Sequence, residues 1–350
     1  MKNVSMHPLI LLLIASIFGC TTIGPKTLTR DRFEYSNSLA TSWQNQMLLN
    51  IVKMRYLDVP MFLDITSVIN SYTLEGRVNL DFDLVQGGNN SQSLGGTGTY
   101  SDRPTITYRP LTGDLYLKSL LTPVKPESLV FLIQAGLNAK WLLSLTTKSI
   151  NGVFNYNPMK LEPSLADPRF FELCEAMWRI QRASAIGIRK AQTGDRTATI
   201  IAFNRQAPDE ILADIQYVKE SLGLDPEVDE VRVRYGTVPS NDRELVMLTR
   251  SMYEVLAAIS WGVEVPQEDL DKNRASRILG SPGFEPLVRI YSAESKPEEA
   301  HVIIKHRNHW FWIEDNDLDS KMIFNFMVIL FTLSETGERG PDPVLTIPAG

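Results

Sequence analysis

The feature that most restricts how this chain can fold is a period-two run in its first third. Leu74, Gly76, Val78, Leu80, Phe82 and Leu84 alternate with Glu75, Arg77, Asn79, Asp81 and Asp83. Successive side chains of a strand point to opposite faces, so this run specifies a strand with one apolar and one polar face. A loop rich in Gly, Asn and Ser follows at 86–98. A second alternation then sets Tyr100, Ile106 and Tyr108 against Thr99, Ser101, Thr105 and Thr107. Together the runs predict a long hairpin over 74–108 with a flexible tip. Strands of about 10–12 residues with this alternation fit a transmembrane barrel strand of about 9–11 residues. One hairpin cannot close a barrel, so a membrane role requires several subunits. Otherwise the hairpin covers a soluble core.

Elsewhere helical and strand periods alternate. A helix from about Ser36 to Tyr56 carries Leu39, Trp43, Met47, Ile51 and Met54 on one stripe and stops at Pro60. Residues 111–147 hold two short helices punctuated by Pro123 and Pro126, then a strand near Leu142–Ser149. Asp167 and Pro168 mark the start of a helix reaching about Lys190. Strands at Thr197–Phe203 and around Val231–Tyr235 alternate with helices at Pro208–Leu222 and Asn241–Trp261. Strands near Leu287–Ser292, His301–Lys305 and Trp310–Glu314 precede a last helix over about Asp319–Thr336. The fold class is α+β, with mixed and antiparallel sheets and helices packed mainly on one side. It includes a C-terminal β-α-β-α, β-β, α segment. The organisation expected is an N-terminal α+β region over 35–195 and a C-terminal α/β region over 196–350.

The amino terminus places the chain. Lys2 precedes the apolar run Leu9–Phe18, which Gly19 and Cys20 follow. This is the layout of a secretory signal peptide over residues 1–19, too short to span a bilayer. Ile17-Phe18-Gly19-Cys20 resembles the lipobox of bacterial lipoproteins. The resemblance implies a diacylglyceryl group on the Cys20 thiol, cleavage before Cys20 and acylation (commonly palmitate) of the new amino terminus. Thr21 replaces the Asp that holds such proteins at the inner membrane, which implies an outer-membrane, periplasm-facing lipoprotein. Two or three acyl chains at about 0.8 kcal/mol per buried CH₂ anchor firmly. Residues 20–34 read as a polar tether reaching at most about 45 Å, at about 3.3 Å per residue.

Charge narrows the partners. Losing residues 1–19 removes one of the 35 basic side chains, Lys2, and none of the 41 acidic ones, leaving a net charge of −7. That argues against nucleic acid and against electrostatic adhesion to anionic lipid. The partners expected are the membrane, through the N-terminal lipid, and an envelope protein. Of the two cysteines, Cys174 shares a helical stripe with Phe170, Leu173, Met177 and Ile180, so it reads as a buried, inert thiol and the fold as disulfide-free.

Candidate sites cluster near the C-terminus. A two-residue turn at Arg307-Asn308 sets His306 opposite His309, close enough to share a metal. A third ligand is not evident on that face. The same register puts Lys305, Trp310 and Trp312 on one face, a candidate partner-binding patch, and Val302, Ile304, Phe311 and Ile313 on the other. Asp315, Asp317 and Asp319 have the spacing of a calcium loop without its Gly and final Glu, so capping of the next helix explains them more simply. No zinc-protease, nucleophile-elbow, phosphate-loop or dinucleotide motif occurs, and no cofactor is indicated. The expected function is a membrane-anchored, non-catalytic binding or scaffold module of the envelope. The alternatives are an oligomeric outer-membrane pore or export component built on hairpin 74–108 and, third, a cell-wall or glycan hydrolase.

Overall fold

A computed structural model describes residues 24–69, 72–83, 91–103, 105–110, 112–113, 117–159, 166–193, 196–275 and 286–334. Cys20 and its lipobox, the hairpin tip at 84–90 and the C-terminal tail lie outside the described residues. The chain is α+β, with helices and both mixed and antiparallel sheets. It divides into two compact units. The first takes in Leu63–Pro110, and the second takes in Ser42–Phe62 and the chain from Leu111 through the last helix.

The first helix, α1, runs Gly24–Arg55. It begins well before the expected Ser36, so most of the stretch read as a tether is helical. Only Gly24 and Pro25 disfavour helix there, and Pro is tolerated in a first turn.

The first unit holds four strands: β1 (Leu63–Ile69), β2 (Tyr72–Asp83), β3 (Ser91–Asp102) and β4 (Thr105–Pro110). β1 pairs with β4 and β2 with β3, both antiparallel and both two-stranded among the described residues. The expected hairpin is present and larger than its sequence signal. Gln92–Gly98, read as loop, lie in β3, because a Ser/Gly/Thr strand carries no apolar period to announce it. Thr105–Pro110 pairs with β1, a strand the periodicity did not mark.

The second unit is built on a six-stranded sheet. Its strands are β5 (Thr147–Ile150), β6 (Val153–Phe154), β7 (Ile186–Thr193), β8 (Arg196–Phe203), β9 (Glu230–Tyr235) and β10 (Glu244–Thr249). They lie in the order β6-β5-β10-β9-β8-β7. Only β9 and β10 are parallel. β7 and β8 pair in one register across residue 195, so no domain boundary falls there.

Helices α2 (Pro126–Gln134), α3 (Ala139–Thr146), α4 (Pro168–Arg182) and α5 (Asp209–Ser221) bury Leu129, Leu143, Leu173 and Val218 against Ile201, Val231, Val233 and Leu245. The opposite face keeps Arg189, Glu230 and Arg234 exposed, with an Arg189–Glu230 ion pair at 2.6 Å. The charged alternate positions of β9 therefore meet water, as their period requires.

Three boundaries differ from the sequence reading. Leu142–Thr146 ends α3, and the strand starts only at Thr147. Asp167 caps α4 as expected, accepting from the Arg169 N–H at 3.0 Å, but that helix stops at Arg182 and Ser184 turns the chain at φ 54° into β7. Glu244–Thr249, expected as helix, is the central strand β10. A strand covered on both faces loses its alternation and mimics a helical run. The next helix, α6 (Met252–Ser260), starts one residue after Ser251 and is fixed by a Ser251/Glu254 capping box.

A second core joins the C-terminal half of α1 to the end of the chain. Here lie α6, the short α7 (Gln267–Asp271), strands β11 (Tyr291–Ala293), β12 (Val302–His306) and β13 (His309–Ile313), and α8 (Leu318–Ser334). Met47, Ile51 and Phe62 pack with Leu256, Phe311, Phe324 and Phe331. No described helix is long and apolar enough to cross a membrane.

Candidate functional site

The hairpin arm is built from backbone register. Ile69 pairs with Thr105, and three residues along each strand Tyr72 pairs with Asp102, so both two-stranded sheets keep one register. In β2 and β3 the even positions pair Leu74 with Tyr100, Val78 with Gly96 and Leu80 with Leu94. The odd positions pair Glu75 with Thr99, Arg77 with Thr97 and Asp81 with Ser93. From Leu74/Tyr100 to Leu80/Leu94 one face of the ribbon is thus apolar and glycine positions, with Asp102 and Gln92 at its two ends, and the other is mainly charged and hydroxyl positions. Thr66 is an extra residue in β1, since Ile65 pairs with Tyr108 and Ser67 with Thr107. It puts Leu63, Ile65 and Val68 on the same side as Ile106 and Tyr108.

Side chains on both faces of β4 are exposed. Ile106 is 38% and Tyr108 50% exposed, while Thr105 and Thr107 are exposed opposite them. Glu75, Arg77, Thr97 and Thr99 are exposed as well.

The tryptophan face forms in the expected register. Arg307 and Asn308 take φ of 47° and 68°, as a two-residue hairpin turn needs. Lys305 pairs with Trp310, and Ile303 with Trp312. β11 then adds to β13 and partly covers the patch. Tyr291 stacks on Trp312 with centroids 5.8 Å apart. The Lys296 and Lys305 ammonium groups each lie 5.6 Å from the Trp310 ring centroid. Trp310 therefore has two cations within cation–π reach.

His306 and His309 pair across the turn but serve different neighbours. His309 Nδ1 lies 3.2 Å from the Arg307 carbonyl oxygen. His306 Nε2 is buried 3.7 Å from Asp58 Oδ2, too far for a hydrogen bond. Burial, then the Arg307 charge, lowers the His306 pKa, against the pull of Asp58. Among the described residues no three His, Cys, Asp or Glu side chains gather as a metal site. Asp317 accepts from the Ser320 N–H at 3.0 Å at the start of α8, and Asp315 pairs with Lys321 at 2.7 Å. Those acids cap and brace the helix.

Around His306 the fold gathers a polar cluster that no sequence motif announces. The Tyr56 hydroxyl donates to Asp269 at 2.8 Å, and Arg274 donates to the other carboxylate oxygen at 2.7 Å. Arg307 lies over the Tyr56 ring at 4.7 Å and donates to Asp58 at 3.0 Å. Burial lowers the Arg55 pKa to about 10. Burial raises the Tyr56 pKa, and its bond to Asp269 adds to the rise. For Asp269, burial raises the pKa but the Arg274 and Tyr56 hydrogen bonds outweigh it, so the net shift is downward. Each carboxylate oxygen holds a donor, so Asp269 clamps Tyr56 to Arg274.

Two further features are internal. Cys174 is fully buried in α4 and burial raises its thiol to about 12, so it is not a nucleophile. An apolar cavity of about 10 Å³ between α2, α4 and the sheet has room for about one water, not a ligand. The chain matches no family model, no curated protein and no solved structure.

Proposed function

We propose that this protein is a membrane-anchored lipoprotein of the bacterial envelope, lipidated at Cys20. In this reading it faces the periplasm from the outer membrane. It works without catalysis, as a binding or scaffold module whose working part is the hairpin arm. One observation supports this above the others: β2 and β3 run 12 residues each in a two-stranded ribbon that no third strand joins among the described residues. An isolated two-stranded hairpin is at best marginally stable in water, so such an arm calls for a partner. The six-stranded body, by contrast, has its core closed. The Trp310 and Trp312 face is a smaller, secondary contact candidate, since β11 covers part of it.

Labelling cells with a fatty-acid probe and fractionating them tests the anchor. Wild type is expected to carry label and sediment with membranes; Cys20→Ser is expected to lose the label, and wild type without label removes the anchor. Crosslinking from Thr99, which is exposed in β3, tests the arm. Adducts formed from Thr99 but not from exposed Glu210 of α5 support it. Equal adducts from both sites remove the arm from its role.

A further inference from the structure

We propose that the partner of the arm is the same arm of neighbouring copies, and that a ring of these ribbons closes into a membrane-spanning β-barrel with a polar lumen. This rests on the anchored reading above and names the partner it leaves open.

Length is the first argument. Twelve paired residues at about 3.4 Å each make a ribbon about 40 Å long. Tilted by about 40°, as barrel strands are, it crosses about 30 Å, the thickness of a hydrocarbon core. The two faces are the second. Leu74, Val78, Leu80, Phe82, Leu94 and Tyr100 share the even register, where a barrel meets lipid, and the polar members of that register, Asp102 and Gln92, stand at its two ends, at headgroup level. Glu75, Arg77, Asn79, Asp81 and Asp83 share the odd register, where it meets water.

The edges identify the occupant. Among the described residues β2 and β3 each leave one row of N–H and C=O groups without a strand partner, and in hydrocarbon every such group must pair. The free edge of β3 can meet the free edge of β2 in the next copy. That junction is antiparallel like the pair inside each copy, so one ladder repeats around a cyclic ring. Charge favours the same junction. All odd-register charges sit on β2, while the odd positions of β3 are Ser91, Ser93, Gly95, Thr97, Thr99 and Ser101. In that register each charged strand is then flanked on both sides by an uncharged one. Acids of neighbouring copies never stand directly opposite, where like charges repel.

The lipidated full chain, reconstituted into dye-loaded vesicles of phosphatidylethanolamine and phosphatidylglycerol, tests this beside Val78→Arg and Asn79→Arg. These adjacent positions lie on opposite faces, and both are outside the six-stranded body, whose thermal unfolding controls for folding. The expected result is a ring-sized mass in detergent and release of dye. Val78→Arg should cut release by about tenfold or more, and Asn79→Arg by less than about twofold, because charge is costly only on the lipid face. A monomer without dye release overturns the proposal, and so does a complex with only a different protein, or equal effects of the two substitutions. Failure of the anchor shows separately, as wild-type protein that takes up no fatty-acid label.

Discussion

The Tyr56 hydroxyl donates to Asp269 Oδ2 at 2.8 Å, joining the end of α1 to the short helix α7 across 213 positions of sequence. Both residues are buried. Tyr56→Phe keeps the ring beneath Arg307 and removes only the donor. Losing a buried hydrogen bond to a charged acceptor costs about 1.5–3 kcal/mol. Urea unfolding should show that loss with an unchanged m-value; a cost below about 0.5 kcal/mol would mean that Arg274 alone satisfies Asp269.

His306 should make stability depend on pH. Its folded pKa lies below the ordinary 6.5, so on acidification the unfolded chain takes up a proton that the folded one refuses. Stability then falls as pH drops from about 6.5 toward the folded pKa, and is unaffected above it. His306→Leu should flatten this part of the profile, with His301 and His309 retained as common background. Parallel profiles for the two proteins would refute the assignment.

Arg250 is fully buried just after β10, yet among the described residues no carboxylate holds it. Nη1 donates to the Ser144 and Leu145 carbonyls at 3.0 and 2.9 Å, and Nη2 to the Tyr156 carbonyl at 2.6 Å. The first two are end-of-helix carbonyls of α3, which lack helical partners and favour a cation. Arg250→Met removes the donor to Leu145 and one donor each to Tyr156 and to Ser144, which keeps Asn155 Nδ2 at 2.8 Å. It should cost about 3 kcal/mol. Arg250→Lys, with a single ammonium for three acceptors, should restore less than half of it. Calorimetry on the three proteins decides.

Gly262 marks a close backbone crossing. A Cβ there would lie 1.9 Å from the Val288 carbonyl oxygen, while Ile290 N–H bonds to the Gly262 carbonyl at 3.0 Å. Gly262→Ala must push the two segments apart and should cost about 1–3 kcal/mol. Gly98→Ala, in open space on β3, is the matched control and should leave the melting temperature of the six-stranded body unchanged.

Sequence period made some of this legible and hid the rest for physical reasons. The hairpins showed through, because residues 74–83 and 301–314 carry apolar and polar side chains at alternate positions. The Arg307-Asn308 turn and the Asp167-Pro168 start followed from local backbone preference. β10 was invisible because both its faces are covered, and β3 because its hydroxyls and glycines carry no apolar signal. The clamp of Tyr56, Asp58, Asp269, Arg274 and Arg307 was beyond reach, since its members meet only when distant segments pack. The lone cue was that Asp58 and Asp269 follow or open helices, where acids are common for other reasons.

Thr66 has a consequence for how the arm can change over time. Before it the apolar residues Leu63 and Ile65 are odd-numbered; after it Val68 and the series from Leu74 to Phe82 are even-numbered. Delete Thr66, or insert one residue beyond it, and every later side chain of the strand changes sides. Arm length is thus quantised: only indels of two residues per strand leave its inside and outside as they are. The bulge acts as a phase marker, and a drifting sequence can move it but not lose it.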